Sequence, residues 1–151
     1  MNMVESEEQV RNVVMAEDDN EDFELFSEVL SGLPLEVFLR RAENGEVLMK
    51  ILHEEIPDIL FIDLVMPCLD GKECLHEIRS HKKFDNLPII VYTSMRDVET
   101  VEFCYRKGTN LFVLKPHSFT ELVDIIEKIF SMNWKKVRYY PQLSNFIMNP
   151  T

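Results

Sequence analysis

The chain lacks the features that mark several classes of protein. Among its 151 residues are only three cysteines, Cys68, Cys74 and Cys104, and no two form a CxxC pair that would suggest a disulfide framework or a zinc site. No apolar run approaches the roughly 20 residues that cross a bilayer, and the acidic start at residues 1–8 is unlike a signal peptide. We therefore expect a cytoplasmic protein with reduced thiols and no membrane partner.

Basic residues are also few compared with acidic ones. There are 16 Lys and Arg against 27 Asp and Glu, which gives a formal net charge of −11. Autonomous binding to DNA or RNA depends on neutralising phosphates with Lys and Arg, so we expect no nucleic-acid partner. The four histidines lack metal-type spacing such as HExxH, and we interpret them as surface or packing residues.

Five strand-and-helix units alternate along the chain. Short apolar runs bounded by polar or turn residues predict strands at residues 13–16, 35–40, 59–62, 89–92 and 111–114. Between and after them, apolar residues recur at helical spacing. Short connections of this kind imply right-handed crossovers and a parallel sheet. We predict an α/β fold, a five-stranded doubly wound parallel sheet of flavodoxin-like order 2-1-3-4-5 with helices on both faces.

The composition predicts three segments. A hydrophobic content of 46% over this length fits one domain, which we place at residues 11–132 after an acidic mobile tail at residues 1–10. Residues 133–151 hold Trp134, Tyr139, Tyr140, Phe146 and Ile147, too many apolar side chains for a disordered tail. We predict that residues 133–151 form an ordered C-terminal appendage.

Chemically active residues follow four of the five predicted strands. They are Glu17 and Asp18 after the first, Asp63 after the third, Thr93 at the end of the fourth and Lys115 after the fifth. The carboxyl ends of parallel strands share one rim, so these side chains converge. Three carboxylates in one cleft repel, which predicts a raised pKa or a cation, and Mg²⁺ suits such oxygen ligands. Lys115 and Thr93 would suit a phosphoryl group accepted by Asp63.

The same residues carry a resemblance to a known family. The matching pieces are Ala16-Glu17-Asp18-Asp19, Asp63-Leu64-Val65-Met66-Pro67 with Asp70-Gly71, Val91-Tyr92-Thr93-Ser94, and Lys115-Pro116. In this order and spacing they resemble the receiver domain of two-component response regulators, over about residues 11–131. The sequence resembles a stand-alone, chemotaxis-regulator-like receiver, and we expect no effector domain in the remaining residues.

The resemblance implies roles for individual residues. Asp63 would be phosphorylated by a sensor histidine kinase or a phosphotransfer protein. Asp18, Asp63 and the backbone carbonyl of Val65 would hold Mg²⁺, with Glu17 binding through water. Thr93 and Lys115 would contact the phosphoryl group.

The resemblance also implies how the signal leaves the domain. Phe112 would be the aromatic switch that moves inward when Thr93 approaches a phosphoryl group. Output would pass to a downstream protein partner through the face formed by the fourth helix, fifth strand and fifth helix. Because the C-terminal appendage is apolar and follows the fifth helix, we expect it to pack near this face and to take part in a homodimer.

Two other functions fit parts of the pattern. An Asp-nucleophile phosphatase of the haloacid-dehalogenase kind would need a second Asp two residues after Asp63, and Val65 stands there. A pseudo-receiver would bind partners without phosphorylation, which the intact set of site residues argues against. We expect a signalling switch rather than an enzyme.

Overall fold

The computed structural model describes residues 10–134 and 143–148, and these form one parallel sheet covered by helices. The sheet has six strands in the order β2-β1-β3-β4-β5-β6. Its strands are β1 (Asn12–Ala16), β2 (Phe38–Ala42), β3 (Ile59–Ile62), β4 (Ile89–Thr93), β5 (Leu111–Leu114) and β6 (Ile147–Met148). All five neighbouring pairs are parallel. The predicted doubly wound fold and strand order are confirmed, and β6 adds one strand beyond the prediction.

Helices lie on both faces of the sheet. They are α1 (Asn20–Ser31), α2 (Gly45–Glu54), α3 (Gly71–Ser80), α4 (Val98–Arg106), α5 (Phe119–Phe130) and the one-turn α6 (Leu143–Phe146), with a short 3₁₀ helix at Lys82–Phe84. The apolar faces of α1 and α5 cover one side of the sheet, and α2, α3 and α4 cover the other. None of the helices within the described ranges is long and apolar enough to cross a membrane.

The middle of the sheet is buried on both faces, as its sequence predicts. Every residue of β3 and β4 is buried, because unbroken apolar runs can satisfy two helical layers. On the α1 and α5 side, the ring of Phe26 lies 4.8 Å from Phe61 and 5.7 Å from Tyr92, both edge-on. Such aromatic contacts fix helix α1 against the strands that carry the site.

Short polar side chains start the helices. The N-cap residues Asp19, Asn44, Asp70, Asp97 and Ser118 each accept a hydrogen bond from the backbone N–H three residues on. The sequence Ser118-Phe119-Thr120-Glu121 has the pattern of a capping box, but the Glu121 carboxylate bonds a different backbone N–H from the one that the pattern predicts. Glu121 Oε2 accepts from the backbone N–H of His117 at 3.2 Å, one residue before the cap.

Strand β2 begins later than its predicted start at residue 35. Pairing with β1 starts at Phe38, opposite Asn12. Leu35 and Val37 are partly buried and pack against the core beside α1 and α5 before the strand begins. Their apolar character reflects this packing rather than membership of the strand.

Arg79 of α3 ties together the loops at the amino ends of β4 and β5. Its guanidinium donates to the carbonyl of Gly108 at 3.0 and 3.1 Å, to that of Phe84 at 2.7 Å and to that of Leu87 at 2.8 Å. Gly108 has a φ of +83°, a left-handed conformation that favours glycine and ends helix α4. The carboxyl end of α4 is therefore held to α3 by charge-assisted hydrogen bonds.

Residues 143–148, called the C-terminal segment below, run beside β5. Ile147 pairs with Phe112 and Met148 with Val113. Phe146 is fully buried, and its ring lies 6.1 Å from that of Phe112 and 5.1 Å from that of Tyr105 on α4. These three side chains form what we call the aromatic edge. The described part of the appendage thus packs near the expected face.

Two of the predicted segments lie largely outside the described residues. Of the predicted tail only Val10 is described, and it is buried among the side chains beneath α1 and α5. At the other end Trp134 is buried, and its indole N–H donates to the carbonyl of Ile129 at 2.8 Å. Residues 135–142, which include Tyr139 and Tyr140, and residues 149–151 lie outside the described ranges.

Candidate functional site

Three carboxylates meet at the carboxyl ends of β1 and β3. One oxygen from each of Glu17, Asp18 and Asp63 lies within 4.8 Å of the others, and we call these residues the acid cluster. Glu17 and Asp63 are buried whereas Asp18 is exposed. The backbone N–H of Asp63 donates to the carbonyl of Ala16 at 2.9 Å, so strand pairing itself sets the two strand ends side by side. The predicted convergence is present in the structure.

Lys115 reaches the acid cluster from the end of β5. Its Nζ lies 2.9 Å from Asp63 Oδ2, 2.9 Å from Glu17 Oε1 and 2.7 Å from Asp22 Oδ2. Burial acts to lower the pKa of Lys115, but hydrogen bonds to Asp22 and Asp63 outweigh burial and raise the pKa above its ordinary value. The ammonium is therefore a permanent positive charge within the site.

Glu17 is the residue least satisfied by this arrangement. Burial raises its pKa from 4.5 to about 8, and the neighbouring Asp63 charge adds to burial while Lys115 opposes both. Glu17 Oε2 accepts from the backbone N–H of Asp19 at 3.3 Å. Oε1 lies 2.9 Å from Lys115 Nζ, and the described residues offer it no other hydrogen-bond donor.

The donor set fits a hard divalent cation. A buried oxygen whose one donor among the described residues is the Lys115 ammonium, next to two further carboxylates, offers the oxygen ligands that Mg²⁺ takes while keeping several waters. A divalent charge beside Glu17 would favour its ionised form and so remove the cost of burying that carboxylate. The structure thus supplies a physical reason for a cation at the acid cluster, as the sequence predicts.

The loop after β3 is shaped to present Asp63. Asp63 Oδ1 accepts from the backbone N–H of Val65 at 3.3 Å, and the Val65 side chain is 61% exposed. A Cβ at Gly71 would lie 2.6 Å from the Asp63 carbonyl oxygen, so only glycine lets α3 start this close to the site. The position that a phosphatase would fill with an acid is therefore an exposed valine.

Thr93 and Phe112 lie on neighbouring strands at different heights. Thr93 ends β4, is buried, and accepts from the backbone N–H of Met95 through Oγ1 at 3.3 Å. Phe112 lies within β5 opposite Val91 and is buried against the aromatic edge rather than at the acid cluster. Strand β4, which carries Thr93, lies between β3 with Asp63 and β5 with Phe112, and the Phe112 ring already occupies a buried position in this structure.

Two residues at the rim were not among the predicted site residues. Asp22, in the first turn of α1, bonds Lys115. Arg41 of β2 donates to the carbonyls of Glu17 at 2.9 Å and Asp18 at 3.1 Å and thereby fixes the loop that carries them. The strand-end rule could have found Arg41, because it directly follows the strand predicted at residues 35–40, although β2 itself continues to Ala42. Asp22 follows no strand, and no local pattern distinguishes it.

Comparison with known proteins agrees with the geometry. Residues 13–127 match the family model of the response regulator receiver domain. The chain belongs to the response regulator receiver family. Among curated relatives, a probable C4-dicarboxylate response regulator of Bacillus subtilis, DctR, is 31% identical over 116 residues, 77% of this chain and 50% of that protein. Hybrid signal transduction histidine kinase D of Dictyostelium discoideum is 28% identical over 144 residues, 93% of this chain and 9% of that protein.

Solved receiver structures share the fold. The Mn²⁺-bound form of response regulator Rcp1 superposes with a TM-score of 0.77 at 24% identity and covers 87% of this chain and 99% of its own. A response regulator from Chloroflexus aurantiacus gives a TM-score of 0.69 at 27% identity, covering 82% of this chain and 100% of its own. By contrast, this chain spans half or less of the length of the curated relatives it matches.

Proposed function

We propose that this receiver domain is a phosphoacceptor signalling switch, phosphorylated on Asp63 by a sensor histidine kinase or a phosphotransfer protein. One observation carries the proposal: Asp63 is a buried carboxylate at the end of β3 that lies within the acid cluster and accepts a hydrogen bond from Lys115 at 2.9 Å. A nucleophilic oxygen, oxygen ligands for a cation and a fixed ammonium are the parts that phosphoryl transfer requires.

In the proposed step, an Asp63 carboxylate oxygen attacks the phosphorus of the donor. A bond forms between that oxygen and phosphorus, and the bond from phosphorus to the donor nitrogen or oxygen breaks with its electron pair leaving on the donor. Lys115 and the Thr93 hydroxyl would contact the transferred oxygens. Asp18, Asp63 and the Val65 carbonyl would hold Mg²⁺, with Glu17 binding through water, and the ion would supply neutralising charge when bound.

Two solved structures of similar proteins support the proposed cation and phosphoryl sites. Rcp1 is described in a Mn²⁺-bound form, and the cyanobacterial phytochrome response regulator RcpA in a phosphorylated form. Both share this chain's fold at 24% and 23% identity. We carry over to this chain only the expectation that a divalent cation and a phosphoryl group meet at the same rim.

Mass mapping after labelling tests the assignment. The full chain is incubated with a small phosphodonor, with and without Mg²⁺, and the modified residue is identified. We expect one Mg²⁺-dependent label on Asp63 and none in Asp63→Asn, which keeps the side-chain volume but removes the anionic nucleophile. The matched control is Asp70→Asn, because Asn can still act as the N-cap of α3. Asp58→Asn is less suitable, because the Asp58 carboxylate accepts hydrogen bonds from two backbone N–H groups. Labelling of Asp63→Asn at the wild-type rate contradicts the proposal.

The output would pass through the α4, β5 and α5 face. Thr93 moving toward a phosphoryl group would change the packing between β4 and Phe112, and Phe112 is in contact with Phe146 of the C-terminal segment. We propose that this face binds a downstream protein partner or a second copy of the chain. Exposed apolar side chains nearby, Val98 on α4 and Phe119 on α5, support a contact surface there.

Sedimentation separates self-association from a different partner. The full chain and a chain ending at Gln142, which retains the buried Trp134, are compared with and without a phosphoryl analogue. We expect the full chain to form a dimer that the analogue strengthens and the shortened chain to associate less. A monomer in all four samples contradicts the homodimer and leaves a heterologous partner as the route of output.

A further inference from the structure

Lys115 is held by more carboxylates than the phosphoryl-acceptor site needs. Its shortest contact, 2.7 Å, is to Asp22 Oδ2, and its contact to Asp63 Oδ2 is 2.9 Å. Asp22 lies outside the acid cluster, and the described residues offer no other cation in contact with it. The tightest partner of the site's only lysine is thus a residue with no role in the proposed metal site.

The position of Asp22 is firmly built. Helix α1 begins at Asn20, and its N-cap Asp19 accepts from the backbone N–H of Asp22 at 2.9 Å. Arg41 holds the preceding loop through backbone carbonyls and also donates to Asn20 Oδ1 at 2.8 Å. With its own backbone in the first helical turn, Asp22 can turn its carboxylate toward Lys115 without strain.

A cation at the acid cluster creates a conflict that Asp22 can resolve. Two of the residues that would bind such a cation, Glu17 and Asp63, each have a carboxylate oxygen 2.9 Å from Lys115 Nζ. A divalent ion and an ammonium held by the same two carboxylates repel each other, so cation binding favours an outward movement of the ammonium. Asp22 is the one carboxylate in contact with Lys115 that the cation would leave unliganded.

We infer that Asp22 is a positioning residue for Lys115: it retains the ammonium when a divalent cation takes Glu17 and Asp63, and it then presents the ammonium to the incoming phosphoryl group. The inference rests on the proposed function only in its second half. Its first half concerns cation binding and is tested without any phosphodonor.

Calorimetric titration with Mg²⁺ tests the first half. In Asp22→Asn the amide cannot hold the ammonium as an anion does, so Lys115 competes more strongly for the acid cluster. We expect the Kd for Mg²⁺ to rise about fivefold to tenfold, because one ionic contact that restrains Lys115 is lost. Glu21→Gln is the matched control, because it removes one exposed acidic charge from the same helical turn without touching Lys115.

Asp22→Glu tests whether restoring a carboxylate at this position restores Mg²⁺ binding. The longer carboxylate can still reach the ammonium, so its Kd should lie nearer to the wild-type value than that of Asp22→Asn. If Asp22→Asn binds Mg²⁺ as tightly as Glu21→Gln does, or more tightly, Asp22 does not relieve the competition and the inference is overturned.

The rate of labelling tests the second half. A misplaced ammonium should lower the maximal rate of Asp63 labelling about fivefold in Asp22→Asn at saturating Mg²⁺, without raising the half-saturating concentration of the anionic phosphodonor. Loss of negative charge alone would instead lower the half-saturating concentration and leave the maximal rate unchanged, which contradicts a positioning role.

The two proposals fail in different ways. If the wild-type chain takes no label on Asp63, the proposed function is wrong, while the Mg²⁺ titration still decides whether Asp22 positions Lys115. If the wild-type chain is labelled and Asp22→Asn matches Glu21→Gln in both Mg²⁺ affinity and maximal rate, the proposed function stands and the inference about Asp22 is wrong.

Discussion

The acid cluster and the aromatic edge lie on the same sheet but are built in opposite ways. At the acid cluster, carboxylates repel one another around a single ammonium, which is the one donor that the described residues offer to Glu17 Oε1. At the aromatic edge, three rings pack at 5.1 and 6.1 Å with no charge to neutralise. The first region is strained by its electrostatics and gains from a ligand, whereas the second is satisfied by its own chain.

This contrast predicts that the two regions respond to different perturbations. Removing an apolar side chain should cost stability at the aromatic edge and leave cation binding intact. Changing pH or adding a cation should act on the acid cluster and leave the edge intact. The expected effects below run from the largest to the smallest.

Phe146→Ala should have the largest effect on stability. We expect the free energy of unfolding in urea to fall by about 3 kcal/mol, because a fully buried ring loses its contacts with Phe112 and Tyr105. Ile147→Ala is the control, since that side chain is 38% exposed and its loss should cost less than about 1 kcal/mol. Equal small losses in both variants would show that the C-terminal segment contributes little to the fold.

Mg²⁺ should stabilise the chain through the acid cluster alone. At about one hundred times its Kd, a ligand that binds only the folded state adds about 2.7 kcal/mol, seen as a rise in Tm. Asp18→Ala should remove most of that gain, whereas exposed Glu24→Gln should keep it. Phe146→Ala should lower the starting Tm and retain the gain. An undiminished gain in Asp18→Ala would exclude Asp18 from the cation site.

Without divalent cations, stability should fall as pH rises. The pKa of Glu17 is about 8 in the folded chain and 4.5 in its reference state, so between these values the folded chain binds the extra proton. The contribution of Glu17 to stability is therefore greatest below about pH 4.5 and is lost as the pH rises to about 8, with roughly 2.5 kcal/mol of it lost between pH 5 and pH 7. Glu17→Gln should flatten this slope in chelator-containing buffer. An identical slope in both chains would assign the pH dependence to other groups.

The lifetime of the acyl phosphate should respond to two apolar residues near the site. Val65 is exposed and Met95 partly buried, and neither side chain can orient an attacking water by hydrogen bonding. We expect the combined Val65→Asn and Met95→Glu variant to lose label about ten times faster, equal to about 1.4 kcal/mol. Val65→Ala with Met95→Leu provides an apolar control. Decay as slow as in the wild-type chain would reject this explanation.

The acid cluster was easier to predict from sequence than its surroundings. Asp63 and Lys115 each directly follow an apolar strand, and parallel topology alone brings such positions to one rim. Asp22 meets Lys115 across 93 residues from a helix, and only the rotation of α1 about its axis decides that contact. The rotation of α1 cannot be predicted from the residues that end the strands.

The edges of the sheet were harder to predict for the same reason. The run at Ile147 and Met148 is too short to predict a strand, and its strand character comes from pairing with Phe112 and Val113. At the opposite edge, Leu35 and Val37 are apolar because they pack ahead of β2, which starts at Phe38. Local patterns predict central strands well because those strands are buried on both faces whatever their neighbours are.

The hydrogen bonds from Arg79 hold only the carboxyl end of helix α4. Its carboxyl end at Gly108 is bound to α3, whereas its first residue, Val98, is 70% exposed and follows the loop that begins after Thr93. A shift that starts at Thr93 would therefore displace the amino end of α4 most and its carboxyl end least. Helix α4 would rotate about its carboxyl end at Gly108, and Tyr105 and the aromatic edge lie close to that end. A partner that senses large movement should therefore contact the first turn of α4.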